Sequence, residues 1–169
     1  MHNIIKYRDA AETDLPRIIE IYNSTVPTRM VTADTMPVTV ESKLEWFRCH
    51  VPGKRPIWVI ESEFSDVIGW ISFEPFIARP AYNHTAEISI YLATEARYKG
   101  IGKQVLQHAI SSAGDLDIKV LVGFIFAHNT PSLKLFYSCG FEDWALLPEV
   151  AILDGIKRSL KILGKKIHD

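Results

Sequence analysis

The stretch from Glu87 to Gln104 constrains the fold most, because it changes from a strand pattern to a helix pattern across a glycine turn. Polar and apolar side chains alternate over residues 87–92, which is typical of a half-buried strand. Gly100 and Gly102 form the turn, and apolar residues then recur at helical spacing. A helix that begins beside glycines leaves backbone N–H groups free to bind an anion such as a phosphate. We therefore expect the functional site at this turn.

The composition predicts one domain that spans residues 1–169. A chain of this length with 47% hydrophobic residues can bury a continuous core. The 19 basic and 20 acidic residues are scattered, and the formal net charge is −1. Neither nucleic acid nor an anionic membrane is therefore predicted as a partner.

The sequence favours a cytoplasmic protein. Its start lacks the apolar core of a signal peptide, and no run reaches the roughly 18 apolar residues of a membrane span. Cys49 and Cys139 lie far apart without metal-like spacing, so neither a disulfide framework nor a metal site is predicted. Such cysteine usage fits a reducing compartment.

Hydrophobic periodicity predicts the element order β-α-α-β-β-β-α-β-α-β-β. Predicted helices begin near residue 15 and cover 40–49, 101–113 and 131–139; predicted strands are 4–7, 57–61, 67–73, 87–92, 120–126 and 141–148, followed by a hairpin of 149–153 and 156–163. Residues 120–126 are almost wholly apolar, so this strand should be central. Asp154-Gly155 is a strong hairpin turn. The predicted fold class is α/β (α+β), with a mixed, mostly antiparallel twisted sheet and helices on both faces.

Two known glycine loops do not fit the turn. A dinucleotide-binding loop would place a third glycine at Val105, and a P-loop would place glycine at Arg97 and Ser or Thr at Gln104. A turn remains whose backbone N–H groups, over residues 98–103, converge on a phosphate, with Arg97 and Lys99 adding positive charge. A plain strand-to-helix turn fits the glycines equally well. The motif alone leaves both interpretations open.

Three segments resemble motifs of the GCN5-related N-acetyltransferases (GNAT). Arg97–Gly102 matches the family's Gln/Arg-x-x-Gly-x-Gly/Ala pyrophosphate loop, which also follows a strand and opens a helix. Asn129–Phe136, followed by Gly140-Phe141, resembles the family's Asn-x-x-Ser-x-x-Leu segment before Gly-Phe. Ala86–Leu92 resembles the Glu-x-Ser-x-Tyr-Val strand of the phosphinothricin and methionine sulfoximine acetyltransferase subgroup.

The resemblance implies a GNAT fold, acetyl-CoA as cosubstrate and no metal. It assigns cofactor binding to the end of the 87–92 strand, the glycine turn and the start of the last helix. These residues are Ile90, Tyr91, Leu92, Arg97, Tyr98, Lys99, Gly100, Ile101, Gly102, Lys103, Asn129 and Ser132. Asn129 is also a good N-cap for the following helix, and the two roles are compatible. Because relatives commonly dimerise, a homodimer is expected.

Acetyl transfer to an amine requires a base, because an alkyl ammonium has a pKa of about 10 and is mostly protonated at neutral pH. Strand alternation places Glu87, Ser89 and Tyr91 on one face. Without the resemblance, Glu87 would most simply be a solvent-facing strand carboxylate. The resemblance implies that Glu87 is the general base, acting directly or through water. Since no base is placed for Cys139, direct transfer without an acetyl-enzyme is predicted.

Residues of two loops are predicted to form the acceptor wall: Arg29, Arg79, Tyr82 and His84. An arginine there would bind the carboxylate of a small amino-acid-like acceptor of the phosphinothricin or methionine sulfoximine type. His84 is equally explained as a hydrogen-bonded loop residue. The tryptophans of the sheet and second helix are interpreted as core.

Two positions depart from the family pattern. Phe136 stands where many relatives have the tyrosine that protonates the leaving thiolate, and Asn83 stands where the subgroup often has arginine. Three alternatives therefore remain open. They are an acetyltransferase for another amine (polyamine, peptide N-terminus or aminoglycoside), a non-catalytic CoA-binding module, and an interaction protein on the same fold.

Overall fold

The computed structural model describes residues 4–168, which form one sheet flanked by helices. The elements follow the predicted order. The strands are β1 Lys6–Asp9, β2 Ile57–Glu61, β3 Val67–Pro75, β4 Thr85–Leu92, β5 Val120–Phe126, β6 Glu142–Leu153 and β7 Ile156–Lys166. The helices of more than one turn are α1 Leu15–Asn23, α2 Val40–Arg48, α3 Ile101–Ser112 and α4 Thr130–Ser138.

The seven strands are ordered β1-β2-β3-β4-β5-β7-β6, and every neighbouring pair is antiparallel except β4–β5. This parallel pair is short: Thr85–Glu87 pairs with Val120–Val122, and beyond these residues the strands separate. The remainder of β4 keeps its ladder to β3 on the other side. The backbone of residues 88–92 therefore has one edge without a neighbouring strand in the described part of the chain.

Helices cover both faces of the sheet, as predicted. On one face, α3 and α4 pack against a buried cluster that includes Phe73, Ile88 and Leu121. On the other face, α1 and α2 cover a smaller cluster that includes Val59 and Trp70. Successive residues of β3 and β4 alternate between the two clusters, because side chains of a strand point to opposite faces.

The C-terminal strands differ from the prediction in one respect. The two strands expected at 141–148 and 149–153 are joined in β6, with irregular pairing between Leu147 and Ala151. Asp154 and Gly155 have φ of 51° and 76°, which suits the predicted tight hairpin turn. Because β7 lies between β5 and β6, β6 is an edge strand.

Other differences are small. β1 begins at Lys6 instead of residue 4, and β4 begins at Thr85, two residues earlier than predicted. β5 has a partner on each side, as its apolar sequence predicts. No helix within residues 4–168 is both long and apolar enough to cross a membrane.

Candidate active site

The gap between β4 and β5 opens into a cavity of about 390 Å³. Its walls come from the end of β4, the glycine turn, the start of α4 and the segment after α1. Ten of the twelve predicted cofactor residues line it: Ile90, Tyr91, Leu92, Arg97, Tyr98, Gly100, Gly102, Lys103, Asn129 and Ser132. Of the other two, Ile101 is buried in the core and Lys99 faces a separate cavity beside Glu95.

The glycine turn leaves the start of α3 without a side-chain cap. Gly100 is the N-cap, with the left-handed conformation φ 76°, ψ −2°, and it has no side chain to accept a hydrogen bond. The helix pattern begins with the bond from the Gln104 N–H to the Gly100 carbonyl at 3.3 Å. The N–H groups of residues 101–103 precede that bond and are available to an anion, and the helix dipole favours negative charge there.

Arg97 links three segments around this cavity. Its guanidinium donates to the Leu92 carbonyl at 3.0 Å and to the Ser24 hydroxyl at 3.0 Å. These bonds use two of the five guanidinium donors and hold the end of β4 against the end of α1. Arg97 therefore fixes the shape of the cavity in addition to lining it.

At the start of α4, Asn129 caps the helix as predicted, and it also lines this cavity. The Asn129 side chain is 5% exposed and accepts a hydrogen bond from the Ser132 N–H at 3.3 Å, so it caps the helix. Phe136 lines the same cavity and lies against Gly123 of β5, where a Cβ would stand 2.8 Å from the Phe136 ring. Tyr137 points elsewhere, since its hydroxyl donates to Asp143 at 2.6 Å.

Glu87 lies on β4 beside a second carboxylate. Burial, reinforced by the nearby negative charge of Glu74, raises the pKa of Glu87 to about 7. The two residues are directly opposite each other on β3 and β4, so their side chains share the sheet face that α1 and α2 cover. Ser89 and Tyr91 follow on that face, where the Tyr91 ring stacks on Trp70 at 4.5 Å.

A second cavity, of about 250 Å³, lies on this α1–α2 face. It is lined by Ile19, Tyr22, Lys43, Trp46, Trp70, Ser72, Glu74, Ser89 and Tyr91. Tyr91 lines both cavities, so the two meet at β4. Two of the tryptophans interpreted as core therefore also form the wall of this cavity.

Sequence reasoning missed the charged groups of the second cavity, Lys43 and Glu74. A signal for Glu74 was available, because it continues the two-residue alternation of Trp70 and Ser72 along β3. Lys43 lies one helical turn before Trp46 on α2, which places both on the same side of that helix. Only the packing of α2 on β3 brings these groups together.

The four predicted acceptor residues lie outside the walls of both cavities. Arg29 donates to Asp154 at 2.9 Å, in the turn between β6 and β7, and to the Thr35 carbonyl at 2.9 Å. His84 Nδ1 lies 3.1 Å from the Asp117 carbonyl oxygen, near the start of β4.

Arg79 and Tyr82 lie on the exposed loop between β3 and β4, with the Tyr82 ring edge-on to Phe76. Asn83, where the subgroup often has arginine, accepts a hydrogen bond from Arg55 through its carbonyl. Among residues 4–168, no group of three or more His, Cys, Asp or Glu side chains could hold a metal ion.

The sheet opens after its one parallel strand pair, beside a helix start without a side-chain cap, and this combination suits an enzyme with an acyl-CoA cosubstrate. A profile of the acetyltransferase (GNAT) domain matches residues 5–142. The chain belongs to the GNAT family and is an N-acetyltransferase by fold and family.

The chain is similar to several known members. It is 51% identical over 160 residues to a Bacillus subtilis protein provisionally named a phosphinothricin acetyltransferase, covering 95% of this chain and 98% of the relative. It is 32% identical over 143 residues to the L-methionine sulfoximine/L-methionine sulfone acetyltransferase of Pseudomonas aeruginosa, covering 85% and 83%. The structure of a GNAT phosphinothricin acetyltransferase from Sinorhizobium meliloti in complex with acetyl-CoA superposes with a TM-score of 0.89 at 28% identity, covering 96% and 88%.

Proposed function

We propose that this protein transfers the acetyl group of acetyl-CoA directly to the amino group of a small amino-acid-like acceptor, of the phosphinothricin or methionine sulfoximine type. The observation that carries the proposal is the meeting of two cavities at Tyr91, on the strand that bears Glu87. One cavity has the features of a cofactor site, and the other has charged groups suited to an amino acid. The names of the relatives support the same acceptor class.

The first cavity fits acetyl-CoA. The pyrophosphate would lie at the start of α3, where backbone N–H groups and the Lys103 ammonium supply positive charge. The pantetheine arm would run along residues 90–92, whose open edge offers backbone hydrogen bonds in place of a strand. Asn129 and Ser132 would contact the cofactor from the other side of the gap.

The reaction requires a base, and we propose that Glu87 takes the proton that the amine loses. Attack by the amine forms the N–C bond and breaks the C–S bond of the thioester, and the amine must lose a proton to remain neutral. A carboxylate with a pKa of about 7 suits this role, since it is partly ionised at neutral pH and is a stronger base than an ordinary glutamate. A free N–H of β4 can stabilise the negative charge that develops on the thioester oxygen. A CoA thiolate, with a thiol pKa of roughly 8 to 9, can leave without a tyrosine acid.

The second cavity matches the charges of an amino acid. Glu74 provides a negative group for the acceptor's ammonium, and Lys43 provides a positive group for its carboxylate. The Lys43 Nζ lies 5.9 Å from the centre of the Tyr22 ring, and it forms no salt bridge with any residue from 4 to 168. The rings of Tyr22, Trp46, Trp70 and Tyr91 would enclose the acceptor's side chain.

A thiol-release assay with a panel of acceptors tests this function. We expect CoA release with amino acids and their phosphinic and sulfoximine analogues, and little release with polyamines or aminoglycosides.

Lys43→Met should raise the KM of amino-acid acceptors about tenfold by removing one charge-assisted hydrogen bond, without affecting amines that lack a carboxylate. Lys54→Met, which removes a lysine from an exposed loop, is the matched control.

The same panel separates the alternatives. Acetyl-CoA binding without thiol release on any acceptor would overturn the transferase assignment in favour of a binding module. Preferred release on polyamines would show that the acceptor class is wrong while the chemistry is right.

We also propose that the protein is a homodimer that associates through β6. This edge strand and the first residue of β7 expose large apolar side chains: Trp144, Leu146, Val150, Ile152 and Ile156. Such a surface on an edge strand favours association with another chain. Analytical ultracentrifugation should give twice the 19.2 kDa of one chain, and Leu146→Arg should shift the mass toward the monomer. A monomeric wild-type protein at micromolar concentration would contradict this proposal.

A cytoplasmic location is proposed on the state of the thiols. Both Cys49 and Cys139 are free, and Cys49 is exposed, which suits a reducing environment. With a net charge of −1, the protein offers no electrostatic basis for binding nucleic acid, so we propose small molecules as its ligands besides its own second copy.

A further inference from the structure

Glu74, and not Glu87, is among the residues that line the second cavity, which is called the acceptor cavity below because the acceptor is proposed to bind there. The two carboxyl groups are directly opposite each other on antiparallel strands, which brings their Cβ atoms to roughly 5 Å. At this spacing the negative charge of Glu74 disfavours a second negative charge on Glu87, and it adds to the effect of burial in raising the pKa of Glu87. The proton that leaves the acceptor therefore enters a two-carboxylate unit.

The two members of the pair have different surroundings. The Trp46 indole N–H donates to Glu74 Oε1 at 2.8 Å, which fixes the position of the Glu74 carboxyl group. Glu87 receives no comparable donor among the side chains of residues 4–168, and burial disfavours its charge. Glu74 is thus held by a hydrogen bond, whereas Glu87 is the member of the pair whose pKa is raised by burial.

His50 completes the surroundings of Glu74. The side chain is 8% exposed, and Nδ1 lies 2.8 Å from the Trp46 carbonyl oxygen. The buried Nε2 lies 3.9 Å from Glu74 Oε1 and has no hydrogen-bond partner within residues 4–168. The ring therefore fixes Trp46 on one side and adds a polar group beside Glu74 on the other.

On the basis of the proposed function, we infer that Glu74 is a second carboxylate of the acetyl-transfer site. It binds the acceptor's ammonium, and its negative charge makes Glu87 a stronger base. In the ground state, ionised Glu74 accepts a hydrogen bond from the ammonium. Ionised Glu87 then takes one proton from the ammonium, and the neutral amine attacks the thioester carbonyl carbon to form the N–C bond. As the C–S bond breaks, the nitrogen loses its second proton, which the departing CoA thiolate takes. The negative charge of Glu74 makes Glu87 a stronger base, because it opposes a second negative charge on the same face.

Several other groups face this pair and would influence its titration. From α1 and α2 come Tyr22 and Lys43, and from β4 comes Tyr91. Tyr22 is itself hydrogen-bonded to Asp34. Because Lys43 faces the same cavity and His50 lies beside Glu74, each variant must be compared with wild type over the same pH range.

Glu74→Gln removes the charge of Glu74, and Trp46→Phe removes the hydrogen bond that positions its carboxyl group. The amide introduced by Glu74→Gln keeps an oxygen that accepts the Trp46 N–H, so the packing of α2 is retained, but the substitution removes the negative neighbour of Glu87. The rising limb of the kcat pH profile should then move to lower pH, and the acceptor KM should rise about tenfold while the acetyl-CoA KM is unchanged. Trp46→Phe removes the hydrogen bond that positions the Glu74 carboxyl group, so the acceptor KM should rise in this variant as well, while the acetyl-CoA KM is again unchanged.

An NMR titration tests this inference independently of the proposed function. The carboxyl ¹³C signals of the pair can be followed by NMR in the protein without substrates, so the titration is informative even if no acceptor is found. Glu45→Gln, on the exposed side of α2, is the matched control and should leave the titration and the kinetics unchanged. An unshifted Glu87 titration in Glu74→Gln, or an unchanged acceptor KM in an active enzyme, would overturn the inference.

Discussion

Replacing Glu87 with Gln is expected to lower kcat by about 100- to 10,000-fold, the range for loss of a general base. The KM for acetyl-CoA should change little, because Glu87 lies outside the walls of the first cavity, the proposed cofactor cavity. In the wild type, kcat should rise with pH as Glu87 ionises and level off above its pKa of about 7. The Gln variant should lose that limb. Measurement of kcat from pH 5 to 9 with saturating acetyl-CoA and acceptor checks both expectations.

The thermal stability of the Glu87→Gln variant shows whether a loss of activity could come from a loss of folding. Burial raises the folded-state pKa of Glu87 from 4.5 to about 7, so the folded state is favoured while the carboxyl is protonated and loses stability as the pH rises from about 4.5 through 7. A neutral Gln lacks this loss. The thermal midpoint of the variant at pH 8 should therefore equal or exceed that of wild type, although its activity is low. Unchanged kcat and an unchanged pH profile in a folded Glu87→Gln protein would rule out its role as base.

Reversing the charge of Lys103 is expected to weaken acetyl-CoA binding without weakening the fold. Lys103 lines the cofactor cavity at the third position of α3, where a glutamate is favourable to the helix dipole by about 0.3–1 kcal/mol. The same glutamate would repel the pyrophosphate and remove a charged donor. Lys103→Glu should raise the KM for acetyl-CoA about 10- to 100-fold, with kcat nearly unchanged.

Lys99 is a matched control for Lys103, and it also tests where the cofactor lies. Lys99→Glu makes the same change of charge four residues away, but Lys99 faces a different cavity, beside Glu95. The sequence assigned both lysines to the pyrophosphate loop. The geometry predicts a much smaller effect for Lys99→Glu on the KM for acetyl-CoA. Equal effects of the two substitutions would place the pyrophosphate outside the turn at the start of α3.

Local pattern was sufficient for the order of the elements and for the glycine turn at the start of α3. Strand and helix periods depend on neighbouring residues, and the unusual backbone of Gly100 belongs to a motif that is contiguous in sequence. The joined strand β6 was not predicted, because the irregular pairing near Leu147 depends on its partner β7.

The acceptor cavity depends on contacts that local pattern does not contain. Arg29 looked available for a substrate carboxylate, yet its partner Asp154 lies 125 residues away. Trp46 and Glu74 are 28 residues apart and meet only because α2 packs against β3. The side chains proposed to surround the acceptor could therefore be recognised only from the packing of α2, although the strand that carries Glu87 was evident from sequence.

The short pairing of β4 with β5 also has a consequence for the strength of the molecule. Three residue pairs connect the two halves of the sheet there, and the strands beyond them are held apart. A ligand whose amides bond along this gap would act as a missing strand and join the halves. Any free energy of acetyl-CoA binding would then add to the stability of the folded protein. The proposed binding site thus lies at the strand pair with the fewest paired residues in the sheet, and bound acetyl-CoA would strengthen that connection.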